Sequence, residues 1–443
     1  KQFFFKKKNI YFQSSILLII LMLKSYDNSS THNGKISIIN EDNLGQINKN
    51  SKYSLVGSGN SISGFYICNN DNINLIRFKK NKIELNIENK TVIVGSSITF
   101  QELNNFLLDK KYIFYPSPSY PYCSIGAGVA LNVHGVNPKL HGTIKENISC
   151  IKFFNPDLGI RQTYPGEDFF NLITGGFGMF GLVIEVELKI TKLKYNYVEV
   201  KKQKAVDLID GYNILNSNNY VSANNIFNLS TIGGKYEGIV LLSKKHVNFD
   251  KKKFSKIQDE KKYNYHLPIL SNSYINKALQ KINFYNELYN FTKFKKIKDV
   301  LFRSHNKTYY KNLFGKMSFF EHQVLISHSN VNDYFKELKK LLNKYNPIIT
   351  LCHMKLFDGY RNFLEFDGSG LGFAYHVVNN QNGKKFINKV YNLDNELNCF
   401  PNISKNSNIN MGILKLNHNN ILTKYQKTHN KYSSFYFYNR VFA

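Results

Sequence analysis

Gly175-Gly-Phe-Gly-Met-Phe-Gly181 runs directly into Leu182-Val-Ile-Glu-Val-Glu-Leu-Lys-Ile190, and this order restricts the fold more than any other feature of the chain. The triplet Gly176-x-Gly178-x-x-Gly181 has the spacing of a dinucleotide fingerprint, which requires a strand before it and a helix after it. Val183, Ile184, Val186, Leu188 and Ile190 are β-rich and partly alternating, so these glycines feed a strand instead. With no crossover helix N-terminus there for a pyrophosphate, a doubly wound nicotinamide-binding architecture is excluded. A second stretch of small residues, Ser124-Ile-Gly-Ala-Gly-Val-Ala-Leu-Asn-Val-His-Gly-Val-Asn137, precedes the first. Such clusters let bare backbone N–H groups reach phosphate oxygens where a side chain would intrude.

The 443 residues suffice for two or three domains, and 42% hydrophobic content supports a sizeable core. The net charge of +28 is spread along the chain, as in Lys79-Lys-Asn-Lys82 and Lys251-Lys-Lys253, and no recognition module accompanies it. That argues against a nucleic-acid partner. Five cysteines without paired spacing argue against a zinc site and a disulfide framework, so no metal is expected and a reducing, cytoplasmic setting fits. Residues 1–34 combine Lys6-Lys-Lys8 with an apolar run over 16–23. Export signal, peripheral membrane anchor and buried strand stand as equal readings, the run being too short for a spanning helix of about 20 residues.

From Lys35 onward the pattern is α+β, with short strands at 36–39, 53–56, 75–78, 83–87, 91–94, 149–154 and 182–190. Thr99 with Glu102 forms a capping box ahead of an amphipathic helix over 99–108. The 192–312 region is poorly patterned, with a strand at 236–242 and a charge-dense 249–265 that is compatible with disorder. Order returns with a strand at 319–326, a helix at 331–345, strands at 348–356 and 372–378, and a helix at 384–397, a βαββα-like unit.

Four stretches carry a family resemblance: Val56-Gly-Ser-Gly-Asn-Ser-Ile-Ser-Gly64, residues 118–143, Gly166-Glu-Asp-Phe-Phe170 with 175–181, and the C-terminal tail. In this order the sequence resembles FAD-linked oxidases of the vanillyl-alcohol oxidase type, nearest the decaprenylphosphoryl-ribose 2′-oxidase and sugar-lactone oxidase branch. The resemblance implies a bipartite PCMH-type FAD-binding domain over 35–191, closed by a C-terminal return at 424–443. An α+β substrate domain on an antiparallel sheet would be inserted at 192–423.

It also implies two loops around a flavin diphosphate. Gly57, Ser58, Gly59, Asn60 and Ser61 would form one, and Pro118, Ser119, Ser124, Ile125, Gly126, Gly128 and Val129 the other. Asn132, Gly135, Asn137, Gly142, Thr143, Gly178, Gly181 and Val183 complete the implied cofactor set. Asn60 stands where family members with covalent flavin carry a histidine, so a non-covalent FAD is expected. His134 is the implied active-site histidine, able to donate to a substrate or flavin oxygen. Lys431 is the implied tail cation that stabilises charge on the reduced ring. Glu321, Gln323 and Lys355 fall at substrate-pocket positions.

Departures from the family bear on the substrate. Glu321 replaces a pocket glutamine, and as a carboxylate it is expected to repel phosphate, which favours a neutral sugar, polyol or lactone. The implied activity is oxidation of a secondary alcohol of a sugar or sugar derivative, or of a polyprenyl-phosphate sugar, with a short-chain dehydrogenase as a partner of the ribose-type reaction. An aldonolactone or polyol oxidase, and a flavin-binding protein without catalysis, are the alternatives.

Overall fold

The computed structural model describes residues 10–13, 16–28, 31–47, 52–64, 73–229, 236–248, 256–259, 261, 265–289, 292–304, 306, 308–315, 317–406, 423 and 427. Lys431, nearly all of the expected 424–443 return, Lys6–Lys8 and Cys68 lie outside the described residues, as does most of 249–265.

The architecture is α+β. Strands Ile10–Gln13, Ile16–Lys24, Thr31–Ile39, Ile73–Phe78 and Lys52–Leu55 form one sheet, neighbours in that order. The apolar run of the N-terminal segment is thus a strand here, antiparallel to both of its neighbours. Lys52–Leu55 runs parallel to Ile73–Phe78 and opens at its C-terminal end into the 56–64 loop.

A second, all-antiparallel sheet orders Gly159–Thr163, Ile148–Asn155, Leu182–Lys189, Thr91–Gly95 and Ile83–Asn86. The glycines at 175–181 enter its central strand, as the sequence pattern requires. The helix Phe100–Asp109 has the expected capping box, Thr99 accepting from the Glu102 N–H while the Glu102 carboxylate takes the Thr99 N–H. The small-residue stretch 124–137, to which the sequence pattern assigns no element, contains a helical turn and a half, Ile125–Ala130, with Ile125 and Val129 turned into the core. Four glycine and alanine positions in six residues mask that periodicity.

The rest is built on two four-stranded antiparallel sheets, Ser222–Phe227, Gly238–Val247, Tyr197–Ala205, Phe294–Lys296 and then Ile349–Asp358, Ser369–Val378, Phe319–Ile326, Phe400–Pro401. One core runs through both, and helices Leu208–Asn216, Val331–Tyr345 and Gln381–Glu396 cover it. The two sheets meet edge to edge through the side chain of Asn225. Its Nδ2 donates to the Met354 carbonyl at 2.8 Å and its Oδ1 accepts the Met354 N–H at 2.7 Å. An amide side chain there imitates a strand's ladder bonds and pairs both the N–H and the carbonyl of Met354.

Alternation along these strands decides what faces where. Phe320, Val324 and Ile326, with Cys352, Met354, Leu356, Phe373, Tyr375 and Val377, enter the helix-covered core. The period of two sends Glu321, Gln323, His353, Lys355, Gly372, Ala374 and His376 to the opposite face. Cross-strand register sets Glu321 beside His376, Gln323 beside Ala374 and Lys355 beside Gly372. Sequence-distant polar groups are thereby collected on one patch of sheet.

Candidate functional site

Lys355, on that patch, lines a cavity of about 500 Å³. Much of the remaining wall is made by the two small-residue runs. The 56–62 loop follows the Lys52–Leu55 strand, with the Val56 N–H bonded to the Ile76 carbonyl at 2.8 Å. The 118–134 stretch is stitched to the turn after Thr91–Gly95, through Ile125 N–H to Ile98 O at 2.8 Å and Gly126 N–H to Ser96 O at 2.9 Å. Asn104 organises the approach to this stretch, donating to the Ser117 hydroxyl and accepting the Phe114 N–H.

The two runs touch. A Cβ added at Gly57 would sit 2.5 Å from the Ser124 hydroxyl oxygen and 2.7 Å from the Ala127 methyl carbon, so only glycine permits this approach. Around the contact, Ser58, Ser61, Ser96, Ser119, Ser124 and Arg77 line the wall, whereas the Ser97 hydroxyl is taken up by Lys80 and Asn81. Clustered donors with a cation and no carboxylate suit a diphosphate.

Of the residues singled out from sequence, Gly57, Ser58, Gly59, Asn60, Ser61, Pro118, Ser119, Ser124, Gly126, Gly128, Asn132, His134, Gly178, Gly181, Val183 and Lys355 all line the cavity. Asn60 is held by a 2.8 Å bond from its Nδ2 to the Tyr122 carbonyl. The others sit behind the wall. Ile125 and Val129 are core. Asn137 caps the 138–141 turn and donates to the Tyr220 carbonyl at 2.7 Å. Gly142 follows it at positive φ, and Thr143 bonds the Glu146 carboxylate through both N–H and hydroxyl. Gly135 contributes its carbonyl, which accepts from Lys355 Nζ at 2.9 Å.

The cavity also has lining residues that the sequence reading missed. Lys405 is one, on the turn after Phe400–Pro401, with Asn402 and Ser404 beside it. The Ser404 carbonyl accepts the Ser63 hydroxyl at 2.7 Å, tying this turn to the first glycine loop. Lys405 is therefore a tail-side cation facing the cavity, the kind of group expected of Lys431. Phe366 is another, presented by the hairpin loop that joins Ile349–Asp358 to Ser369–Val378. No local pattern marks either; both arrive by topology.

Two pocket expectations need correction. Gln323 does not line the cavity: its Oε1 accepts from Asn402 Nδ2 at 2.8 Å, and so it positions Asn402. Glu321 does not present a bare negative charge. Its carboxylate lies 3.3 Å from Lys405 Nζ, and this pairing offsets the expected repulsion of phosphate.

The electrostatics follow from burial beside these cations. Burial and then the neighbouring Lys405 charge bring the Lys355 ammonium down to about 7, against a weaker opposing pull from Glu321. His134 is held well below the usual imidazole range by burial, then by Lys355 and Lys405. It packs edge-on to Phe357 with ring centroids 4.8 Å apart. His353 is pushed down to about 3 by burial first and Lys355 second. At neutral pH the site thus holds two neutral imidazoles, His134 and His353, and one amine, Lys355, poised between its two forms. Among the described residues no cluster of metal-ligating groups occurs.

The wall has the properties a flavin needs. Asn132 Nδ2 is buried at the cavity with no partner among the described residues, although its Oδ1 accepts the Lys145 N–H. An orphaned donor of this kind suits a ring carbonyl.

Comparison with known proteins agrees. Residues 46–161 match a family described as FAD binding domain. The chain thus carries an FAD-binding domain. It is 29% identical over 121 residues to a mitochondrial D-lactate dehydrogenase [cytochrome] of Arabidopsis thaliana, covering 26% of this chain and 21% of that protein. It is 27% identical over 142 residues to the Saccharomyces cerevisiae D-lactate dehydrogenase [cytochrome] 1, mitochondrial, covering 30% and 24%. A D-lactate dehydrogenase of Archaeoglobus fulgidus is 21% identical over 141 residues, covering 30% and 32%. The chain spans a third or less of the length of these relatives.

Proposed function

We propose that this chain is an FAD-linked oxidoreductase that oxidises a secondary alcohol, with FAD held non-covalently between the 56–62 and 118–134 runs. The observation that carries the reading is the convergence of Lys355, His134 and Lys405 on one cavity whose wall is in large part a donor-lined glycine cradle. Bound FAD supplies the two-electron chemistry by accepting hydride from the carbinol carbon. The remaining work is proton handling and charge placement, and the side chains divide it.

Oxidising an alcohol requires that its hydroxyl proton go to a base, and a base works best with a pKa near the ambient pH. Lys355 Nζ, at about 7, is matched to that role, and the Gly135 carbonyl holds it in place. His134, kept neutral, donates its N–H to the substrate oxygen without carrying a full charge. Lys405, steadied by Glu321, supplies the cation that balances negative charge as it accumulates. Gln323 and Asn402 position that turn.

The substrate is either a sugar derivative, as the family resemblance implies, or a 2-hydroxy acid, which the D-lactate dehydrogenase relatives favour. Two lysines against one compensated carboxylate accommodate an anionic group in both cases. Anaerobic mixing of the FAD-loaded protein with D-lactate, other 2-hydroxy acids, aldonolactones, polyols and sugar phosphates tests the proposal. Bleaching of the flavin band by one class is expected. A loaded protein that none of them reduces contradicts the enzyme reading and leaves flavin binding without catalysis.

A further inference from the structure

The helix Ser273–Tyr289 is built inside out. The residues it turns inward are Asn276 and Phe284, with Gln280 donating to the Ile349 carbonyl at 2.9 Å. Its outward face carries the apolar groups. At 100° per residue Tyr274, Ala278, Ile282, Tyr285 and Tyr289 fall within about a quarter-turn of one another, and Tyr274 is 87%, Ile282 63% and Tyr289 75% exposed. Ile275 and Leu279 widen the stripe on one side, both exposed. Water-facing helices normally show the reverse pattern, and a contiguous apolar stripe of this kind marks a surface that something covers.

The charges around the stripe say what kind of surface. Lys277 and Lys281 border it and make no ion pair among the described residues. Glu287, the helix's only acid, is neutralised by Arg303 at 3.1 Å. On the neighbouring strand Tyr197–Ala205, Lys202 reaches the Leu288 carbonyl and Lys204 is paired with Glu237 at 2.8 Å. A second copy of the chain would bring a net charge of +28 against the same basic rim, which opposes self-association through this face. A bilayer with anionic headgroups meets every feature: apolar side chains enter the acyl boundary, tyrosines sit at headgroup depth, and lysines reach the phosphates.

We propose that Ser273–Tyr289 is an interfacial helix that seats the protein on an anionic membrane surface. The helix bonds, through Gln280, the first residue of the strand that carries Lys355, and its seating does not depend on the flavin reading. None of the described helices is long and apolar enough to cross a membrane, so the contact is one of lying on the surface.

Flotation of the full chain with vesicles tests this, comparing phosphatidylcholine alone with vesicles in which about a third of the lipid is phosphatidylglycerol. Binding to the anionic vesicles only is expected. Ile282→Ser with Tyr289→Ser should weaken it by about tenfold or more, since two exposed apolar anchors are lost without touching the core. Lys277→Glu with Lys281→Glu should do the same, and both variants should keep the wild-type circular dichroism and FAD absorbance. Undiminished binding by the apolar double variant overturns the proposal, because diffuse positive charge would then suffice. Failure of the wild type to float also overturns it, and so does a concentration-dependent dimer that the same double variant abolishes.

Discussion

Replacing Lys355 by methionine keeps an unbranched side chain, one heavy atom shorter, and removes its charge, which isolates the burden of holding an ammonium in this site. The structure brings that group from its ordinary 10.5 to about 7, chiefly by burial. Those units correspond to a ceiling of about 5 kcal/mol against charging it in the folded state. Because the amine borders the cavity, part of that is recovered, and about 2 kcal/mol is the expected effect. The folded pKa lies below the unfolded one, so the wild type is favoured where the amine is neutral in both states. That advantage declines as pH falls from about 10.5 to about 7, and below that the full penalty applies. Lys355→Met has no such term, and its loss of the donor to the Gly135 carbonyl costs about 1 kcal/mol at every pH. Urea unfolding of both proteins, followed by circular dichroism from about pH 6 to 10, reads the difference directly. The variant should gain on the wild type as pH falls through this window and then hold a constant difference. Flavin reduction by substrate should rise through about pH 7 in the wild type and be at least about a hundredfold slower in the variant. A stability difference independent of pH would refute the depressed amine and with it the assignment of Lys355 as base.

Other perturbations probe the cradle and its supports. Gly57→Ala forces a methyl against Ser124 and Ala127 and should weaken FAD binding about tenfold while costing about 1–3 kcal/mol; Ser124→Gly should partly restore affinity in a fluorescence titration. Burial, then Glu146, pushes the Asp367 carboxyl up to about 8. Its protonated form is the one the fold favours, so the wild type loses up to about 1.4 kcal/mol per pH unit as pH rises from about 4 toward 8. Thermal unfolding of Asp367→Asn at about pH 5 and 8.5 should show that this slope is gone. Asn225→Leu leaves the Met354 N–H and carbonyl unpaired at the seam between sheets and should cost about 2–4 kcal/mol, read as a lower denaturation midpoint.

Much of this was legible in the chain where local physics decides the outcome. Val331–Tyr345 is a helix over the residues its apolar spacing indicates, and the Thr99–Glu102 box starts the next as written. The strand after Gly181 follows from β-branched alternation alone. The 192–312 region was not legible, for identifiable reasons. In Ser222–Phe227 two consecutive asparagines interrupt the apolar pattern, yet Asn225 is there to bond Met354 and Asn224 to bond the Val300 carbonyl. In Ser273–Tyr289 the apolar stripe faces outward, so periodicity and burial disagree. The site shows the same division. The glycine loops announce themselves by local composition, and His134 is singled out by the family resemblance of the stretch that holds it. Lys405 and Phe366 reach the cavity only because a hairpin and a tail turn fold over it, and Glu321 finds its partner in Lys405 from that same turn.

The central claim is that the 56–62 and 118–134 runs together hold FAD, and the most direct measurement is a titration of flavin-free full-length chain with FAD, followed by absorbance and by quenching of flavin fluorescence. The account predicts a saturable, yellow, one-to-one complex that denaturation releases as intact FAD and that Gly57→Ala weakens. A protein that takes up no flavin, or one whose affinity is indifferent to a methyl group at Gly57, would contradict it.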